Sequence, residues 1–217
     1  MNKLVIFDLD GTLCNTLPDI AYYANESLEK FGYAPKQETE IRNLVCLSIE
    51  EIFCRLMGKK EDSPIAKQAT AYYKKHIKES KSPRSVLYEN VDDLLLGLKS
   101  AGYKLAILTN KAADETEVIY QRLLSNFEFD AVIGLKEGVA VKPDPTEIFN
   151  LMKKFGVDKQ STYFVGDGDT DVLAALNAEV NLIAVTYGYR DKDYLQGLGA
   201  TTFADNPKEI LSLITKD

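Results

Sequence analysis

The sequence predicts an α/β fold: a doubly wound parallel sheet with an all-helical domain inserted after its first strand. Three observations carry the prediction. Short apolar runs alternate with longer stretches of helical periodicity through residues 85–217. One further apolar run opens the chain and has no helix-plus-strand partner nearby. Residues 15–84, which follow it, read as helix alone.

The opening run, Lys3–Asp8, is short, apolar and ended by Asp-Leu-Asp-Gly, which fits a buried strand closed by a turn. Helical periodicity then covers Pro18–Phe31, with proline at a helix start, and Glu38–Met57 and Pro64–Glu79 follow. The polar stretches Gly58–Pro64 and Ser80–Arg84 read as connections. That much consecutive helix cannot lie within a sheet, so residues 15–84 are expected to form a separate domain carried by a core of residues 1–14 and 85–217.

In the core, helix Val91–Ser100 precedes strand Lys104–Thr109, and helix Asp114–Leu124 precedes strand Ala131–Ile133. Helix Thr146–Phe155 precedes strand Thr162–Val165, and helix Thr170–Leu176 precedes strand Leu182–Val185. A weaker strand near Thr201–Phe203 and helix Lys208–Ile214 close the chain. Right-handed crossovers place such helices on both faces of one parallel sheet.

Composition excludes several classes. The chain has 217 residues, 45% apolar and 27% charged, and no apolar run nears the roughly 20 residues of a membrane span. It opens on a strand-like run rather than a basic segment and an apolar core, so no secretory leader and a cytoplasmic location are expected. A net charge of −7 argues against broad nucleic-acid binding and requires local positive charge to attract an anionic substrate. Cys14, Cys46 and Cys54 fit neither a disulfide framework nor a CxxC metal spacing. The single histidine, His76, lies in a polar helical run and reads as a solvated helix residue. Catalysis, if present, rests on carboxylates, lysine, hydroxyls and a metal.

In a doubly wound sheet, ligands bind beyond the carboxyl ends of the strands. There the sequence places Asp8-Leu-Asp-Gly-Thr12, Thr109-Asn-Lys111 and Gly166-Asp-Gly-Asp-Thr-Asp171, with Val141-Lys-Pro-Asp-Pro145 in a nearby loop. Each has a plain alternative: Asp-Gly turns, helix caps at Thr109-Asn110 or Asp169, a solvent-facing Lys142. Their shared edge is the informative feature.

Asp8, Asp10 and Asp167 gathered there would repel one another and raise each other's pKa. A hard cation resolves that conflict, and oxygen donors with room for water and phosphate fit Mg²⁺. With Lys142 it would attract a phosphate dianion, to which Thr109, Asn110 and the backbone amides of the Gly11–Thr12 turn would donate. Asp8 could then attack phosphorus, while Asp10 protonates the leaving oxygen and later activates water.

These motifs closely resemble those of the haloacid dehalogenase superfamily of phosphotransferases, in the same order and across the whole predicted sheet domain. The resemblance implies a Rossmann-like core and a mobile helical cap at 15–84. It implies Asp8 as nucleophile and Mg²⁺ ligand, Asp10 as general acid/base ligating through its backbone carbonyl, and Asp167 as a direct ligand. It also implies Thr109 on the phosphoryl oxygens, Lys142 bridging Asp8 and phosphate, and Asp171 supporting a metal-associated water or Lys142. Asp169 matches no family ligand and reads as helix support.

Leu17-Pro-Asp-Ile20, Thr109-Asn-Lys111, Lys142-Pro-Asp-Pro145 and Val185-Thr-Tyr-Gly-Tyr189 are most similar to the phosphoglycolate-phosphatase side of that superfamily. Three departures stand out: Cys46 where many relatives carry glycine, Leu87–Val91 without Pro-Gly, and Ala178-Glu-Val without glycine.

The expected activity is therefore Mg²⁺-dependent hydrolysis of a small phosphate monoester, phosphoglycolate-like or a sugar phosphate, by a monomer or homodimer without nucleic-acid or membrane partners. The alternatives are a β-phosphoglucomutase-like phosphotransferase, which usually carries a histidine early in the first cap helix where Pro18–Tyr22 has none, and a non-catalytic binding module. Dehalogenase chemistry is disfavoured by Asp10. Phosphonate cleavage needs a reactive cap lysine, and Lys59 and Lys60 lie in a polar connection.

Overall fold

A computed structural model describes residues 3–45 and 47–215; Cys46, one of the noted departures, lies outside the described residues. The chain divides into two compact units, Met1–Asn15 with Val86–Asp217, and Thr16–Ser85.

The first unit is built on a six-stranded sheet, β1 (Lys3–Phe7), β4 (Tyr103–Ala112), β5 (Ala131–Leu135), β6 (Thr162–Gly166), β7 (Asn181–Val185) and β8 (Phe203–Ala204), in spatial order β5-β4-β1-β6-β7-β8. Every pairing is parallel. The chain builds outward from β1 to β4 and β5, then returns to the other side of β1 for β6, β7 and β8. That reversal at β1 makes a topological switch point, where a crevice opens beyond the strand ends.

The central strand explains the two-layer cover. Val5 and Phe7 pack into one apolar cluster with Leu94, Leu95 and Leu98 of α5 (Val91–Ser100) and Ile210 and Ile214 of α10 (Pro207–Thr215). Leu4 and Ile6, on the opposite face, pack with Ile148 and Leu151 of α7 (Thr146–Phe155) and Ala174, Ala175 and Ala178 of α8 (Asp169–Ala178). A strand with both faces buried needs no polar alternation, which is why it reads as an uninterrupted apolar run.

Three details of this unit differ from the sequence expectation. The segment Asp114–Leu124 is α6 (Ala113–Ile119) followed by a π-helical turn, Tyr120–Leu124. A helix α9 (Lys192–Gly197) lies between β7 and β8. Where the chain leaves and re-enters the sheet unit, Cys14–Asn15 (β2) and Val86–Leu87 (β3) pair antiparallel, each too short to show a period in sequence.

The second unit is all helix among its described residues: α1 (Leu17–Lys30), α2 (Glu38–Arg42), α3 (Ile49–Leu56) and α4 (Pro64–Ser80). The single helix expected over Glu38–Met57 is thus two. The first ends at Arg42, and Ser48 starts α3 afresh, its hydroxyl accepting the Glu51 amide at 3.3 Å. His76 stacks on Tyr72 of the same helix, with ring centroids 3.8 Å apart.

Asp19, in the first turn of α1, is buried and binds the far end of the same unit. One of its carboxylate oxygens accepts the Arg84 amide at 3.0 Å, and both the amide and the hydroxyl of Ser85 at 2.6 Å. The entry and exit of the unit are therefore joined through one side chain. Removing it leaves buried donors without an acceptor. We expect Asp19→Ala to lower stability by about 2–4 kcal/mol, read by urea denaturation, and Ser85→Ala by about 1 kcal/mol.

Candidate active site

The parallel register brings the functional segments level. Phe7 pairs with Ile107 of β4 and with Val165 of β6, so Asp8, Thr109 and Asp167 all emerge within two residues of that row. The Asp8 amide extends the ladder to the Val165 carbonyl at 2.9 Å. Lys142 arrives from the loop before α7, and Asp171 from the first turn of α8.

Lys142 Nζ donates to Asp8 Oδ1 and to Asp171 Oδ1, both at 2.6 Å. Oxygens from Asp8, Asp167 and Asp171 all lie within 4.8 Å of one another, and all four side chains are buried. Asp171 is fixed from its other side by the Gly168 amide, 2.9 Å from its Oδ2. Asp167 accepts the Thr12 hydroxyl at 3.0 Å and the Tyr189 amide at 2.7 Å on separate oxygens. Each oxygen retains a second lone pair.

This arrangement sets the protonation chemistry. Burial above all, with the Asp171 and Asp10 charges adding to it and Lys142 pulling the other way, raises the Asp8 pKa to about 7. Burial, then the Asp171 and Asp8 charges, lift Asp167 well above the ordinary carboxylate range. For Lys142 burial works downward, but Asp171 and Asp8 outweigh it and keep the ammonium charged. Three buried carboxylates against one ammonium leave surplus negative charge. An all-oxygen donor set of this kind fits a hard divalent cation.

Glycines make the packing possible. A Cβ on Gly11 would lie 2.3 Å from Asp167 Oδ2, and one on Gly188 would lie 2.3 Å from Asp167 Cβ. Gly11 also has φ +86°, which a side chain would resist.

Other expected site residues take more specific positions. Thr109 is buried, and its hydroxyl oxygen accepts the Lys111 amide at 3.2 Å, keeping its own hydrogen to donate. Asn110 clamps the backbone of Lys142, with Nδ2 on its carbonyl at 3.0 Å and Oδ1 accepting its amide at 2.9 Å, a positioning role the sequence did not suggest. The Gly11 and Thr12 amides, expected to face phosphate, instead close the tight loop onto the Cys14 and Leu9 carbonyls at 2.9 and 3.4 Å. Asp10 lies 3.2 Å from Lys111 Nζ, and Asp169 pairs with Arg190 at 3.4 Å.

A family model described as haloacid dehalogenase-like hydrolase matches residues 5–185. The chain belongs to the haloacid dehalogenase-like hydrolases. A curated protein from Colwellia psychrerythraea named phosphoglycolate phosphatase is 30% identical over 215 residues, covering 96% of this chain and 95% of its own length. One of the same name from Haemophilus influenzae is 32% identical over 194 residues, covering 86% and 87%. The crystal structure of a predicted phosphoglycolate phosphatase from Haemophilus somnus superposes with a TM-score of 0.88 at 28% identity, covering 98% of this chain and 97% of that one. As a haloacid dehalogenase-like hydrolase of this kind, the chain is a phosphoric monoester hydrolase. Among the described residues, no helix is long and apolar enough to cross a membrane.

Two of the residues that shape the site of this hydrolase went unassigned in sequence. Gly188 and Tyr189 sit in Val185-Thr-Tyr-Gly-Tyr189, where a glycine between two tyrosines just past a strand end was the available signal. The Tyr187 hydroxyl adds a bond to the Thr12 carbonyl at 3.1 Å, so this loop supports both Asp167 and the residue that donates to it.

Two outcomes follow from the charge surplus. The folded-state pKa of Asp8 lies above its ordinary 3.8. Its stabilising contribution is therefore complete below that value and is lost as pH rises through about 7. In chelator the Tm should fall between about pH 5 and pH 8, and Mg²⁺ should raise it more at the higher pH. An equal Mg²⁺ effect at both pH values would contradict this. Gly188→Ala, whose Cβ would displace the Asp167 carboxylate, should raise the divalent-cation concentration that half-saturates that Tm assay at least about tenfold if Asp167 is a ligand.

Proposed function

We propose that the chain is a Mg²⁺-dependent phosphatase that hydrolyses a small phosphate monoester through a phosphorylated Asp8. The observation that carries this is the placement of Lys142 on Asp8 and Asp171 at once, with Asp167 in the same cluster. A nucleophilic carboxylate, a cationic partner and surplus carboxylates beside it suit phosphoryl transfer better than acyl transfer or redox chemistry.

Asp8 and Asp167 would hold the cation through their carboxylates, with the Asp10 backbone carbonyl as a third protein ligand. When bound it supplies charge neutralisation for the phosphoryl oxygens and keeps Asp8 ionised. Lys142 and the Thr109 hydroxyl orient the phosphoryl group. An Asp8 oxygen attacks phosphorus as the bond to the ester oxygen breaks, and Asp10 gives that oxygen its proton. Water then attacks the phosphorus of the aspartyl-phosphate and yields its proton to Asp10. Asp8 and inorganic phosphate separate. Asp171 and Asn110 keep Lys142 in place throughout.

For substrate we favour 2-phosphoglycolate or a sugar phosphate of similar size, in the cytoplasm. The support is the name shared by relatives matched over most of their length; the helical unit Thr16–Ser85 would be the cap that the resemblance implies, excluding bulk water when closed. Asp8→Asn should reduce phosphate release from a panel of phosphorylated metabolites at least about a thousandfold, and chelation should abolish it reversibly. Substantial turnover by that variant removes the covalent route. A panel in which no small ester is hydrolysed removes the substrate assignment.

A further inference from the structure

Lys111 is a buried cation that the mechanism above leaves unassigned. Its side chain is 8% exposed, and its Nζ lies 3.2 Å from Asp10 Oδ1 and 3.7 Å from Glu115 Oε2. Burying an ammonium is costly unless carboxylates face it. Here one of those carboxylates is the residue assigned to move the proton.

The backbone beneath this lysine is held from several sides. β4 loses regular register with β5 between Leu108 and Ala112, the stretch that carries Thr109–Lys111. The Lys111 amide donates to Thr109 Oγ1 at 3.2 Å. Thr116 Oγ1 reaches back to the carbonyls of Lys111 and Ala112 at 3.3 and 2.9 Å. Gly134 of β5 admits this close packing, because a Cβ there would come within 2.7 Å of both Ala113 Cα and Thr116 Oγ1. Glu115, one helical turn on, engages the ammonium from α6.

We propose that Lys111 is the positioning residue for Asp10: it holds the carboxylate toward the leaving oxygen, and Glu115 holds Lys111. The inference rests on the role given to Asp10 under the proposed function. Asp10 stands at the start of the turn between Asp8 and Gly11, and the ion pair selects one of its side-chain orientations. A misplacement on the order of 1 Å in such a group costs up to about a hundredfold in rate. Lys142 cannot substitute, since Asp8 and Asp171 already share it.

The test compares an alkyl ester, whose leaving oxygen must be protonated, with p-nitrophenyl phosphate, whose phenolate departs without that help. The alkyl ester is the one turned over fastest in the metabolite panel. Lys111→Met should lower the alkyl-to-aryl ratio of kcat at least about tenfold, with KM for both esters within about twofold of wild type. Lys111→Arg should recover most of the ratio. If Lys111→Met fails to fold, Lys111→Met combined with Glu115→Gln removes a charge of each sign and is read in the same way. Equal loss on both esters, or a rise in KM alone, overturns the positioning role. Asp10→Asn separates the two levels: if it leaves the ratio unchanged, the acid role of Asp10 fails. If it collapses the ratio while Lys111→Met does not, only the inference about Lys111 fails.

Discussion

Negative charge confined without enough positive charge is the constraint on which the site depends. Asp8, Asp167 and Asp171 converge in a buried space where one ammonium, Lys142, is shared between two of them, the other buried lysine, Lys111, being engaged by Asp10 and Glu115. Their mutual repulsion is sustained by packing rather than relieved by it. Gly11 and Gly188 leave no room for Asp167 to swing away, and Thr12 and Tyr189 hold both its oxygens. A divalent cation among these carboxylates would lower that conflict.

The sheet makes the convergence inexpensive in conformational terms. β1 lies at the centre, so its carboxyl end is flanked by β4 and β6, and a one-residue register slip on either side would rotate Thr109 or Asp167 to the wrong face. The apolar residues on both faces of β1 pin that register. Packing far from the chemistry therefore determines where the carboxylates meet.

Much of this was legible in the sequence because burial on both faces produces continuous apolar runs, and polar residues immediately after such runs have nowhere else to go but the strand ends. Helices Val91–Ser100 and Thr146–Phe155 were readable because buried apolar residues recur along one face of each, Val91, Leu94, Leu95 and Leu98 in the first and Ile148 and Leu151 in the second. What stayed hidden depended on partners distant in sequence. Asn110 and Lys142 are 32 positions apart, and nothing local in either segment says that one clamps the other. Asp19 appeared in sequence only as part of Leu17-Pro-Asp-Ile20, although it joins two ends of the helical unit. The break within Glu38–Met57 did leave a trace, Ser48 followed three residues later by Glu51.

The most direct measurement of the charge conflict is calorimetric titration of the metal-free enzyme with Mg²⁺ near pH 7, repeated in buffers of different ionisation enthalpy to count released protons. One ion should bind per chain with a fractional proton release that declines as pH rises above 7, and Asp167→Asn should bind it far more weakly. Binding without proton release, undiminished in Asp167→Asn, would mean that the carboxylates do not share a cation.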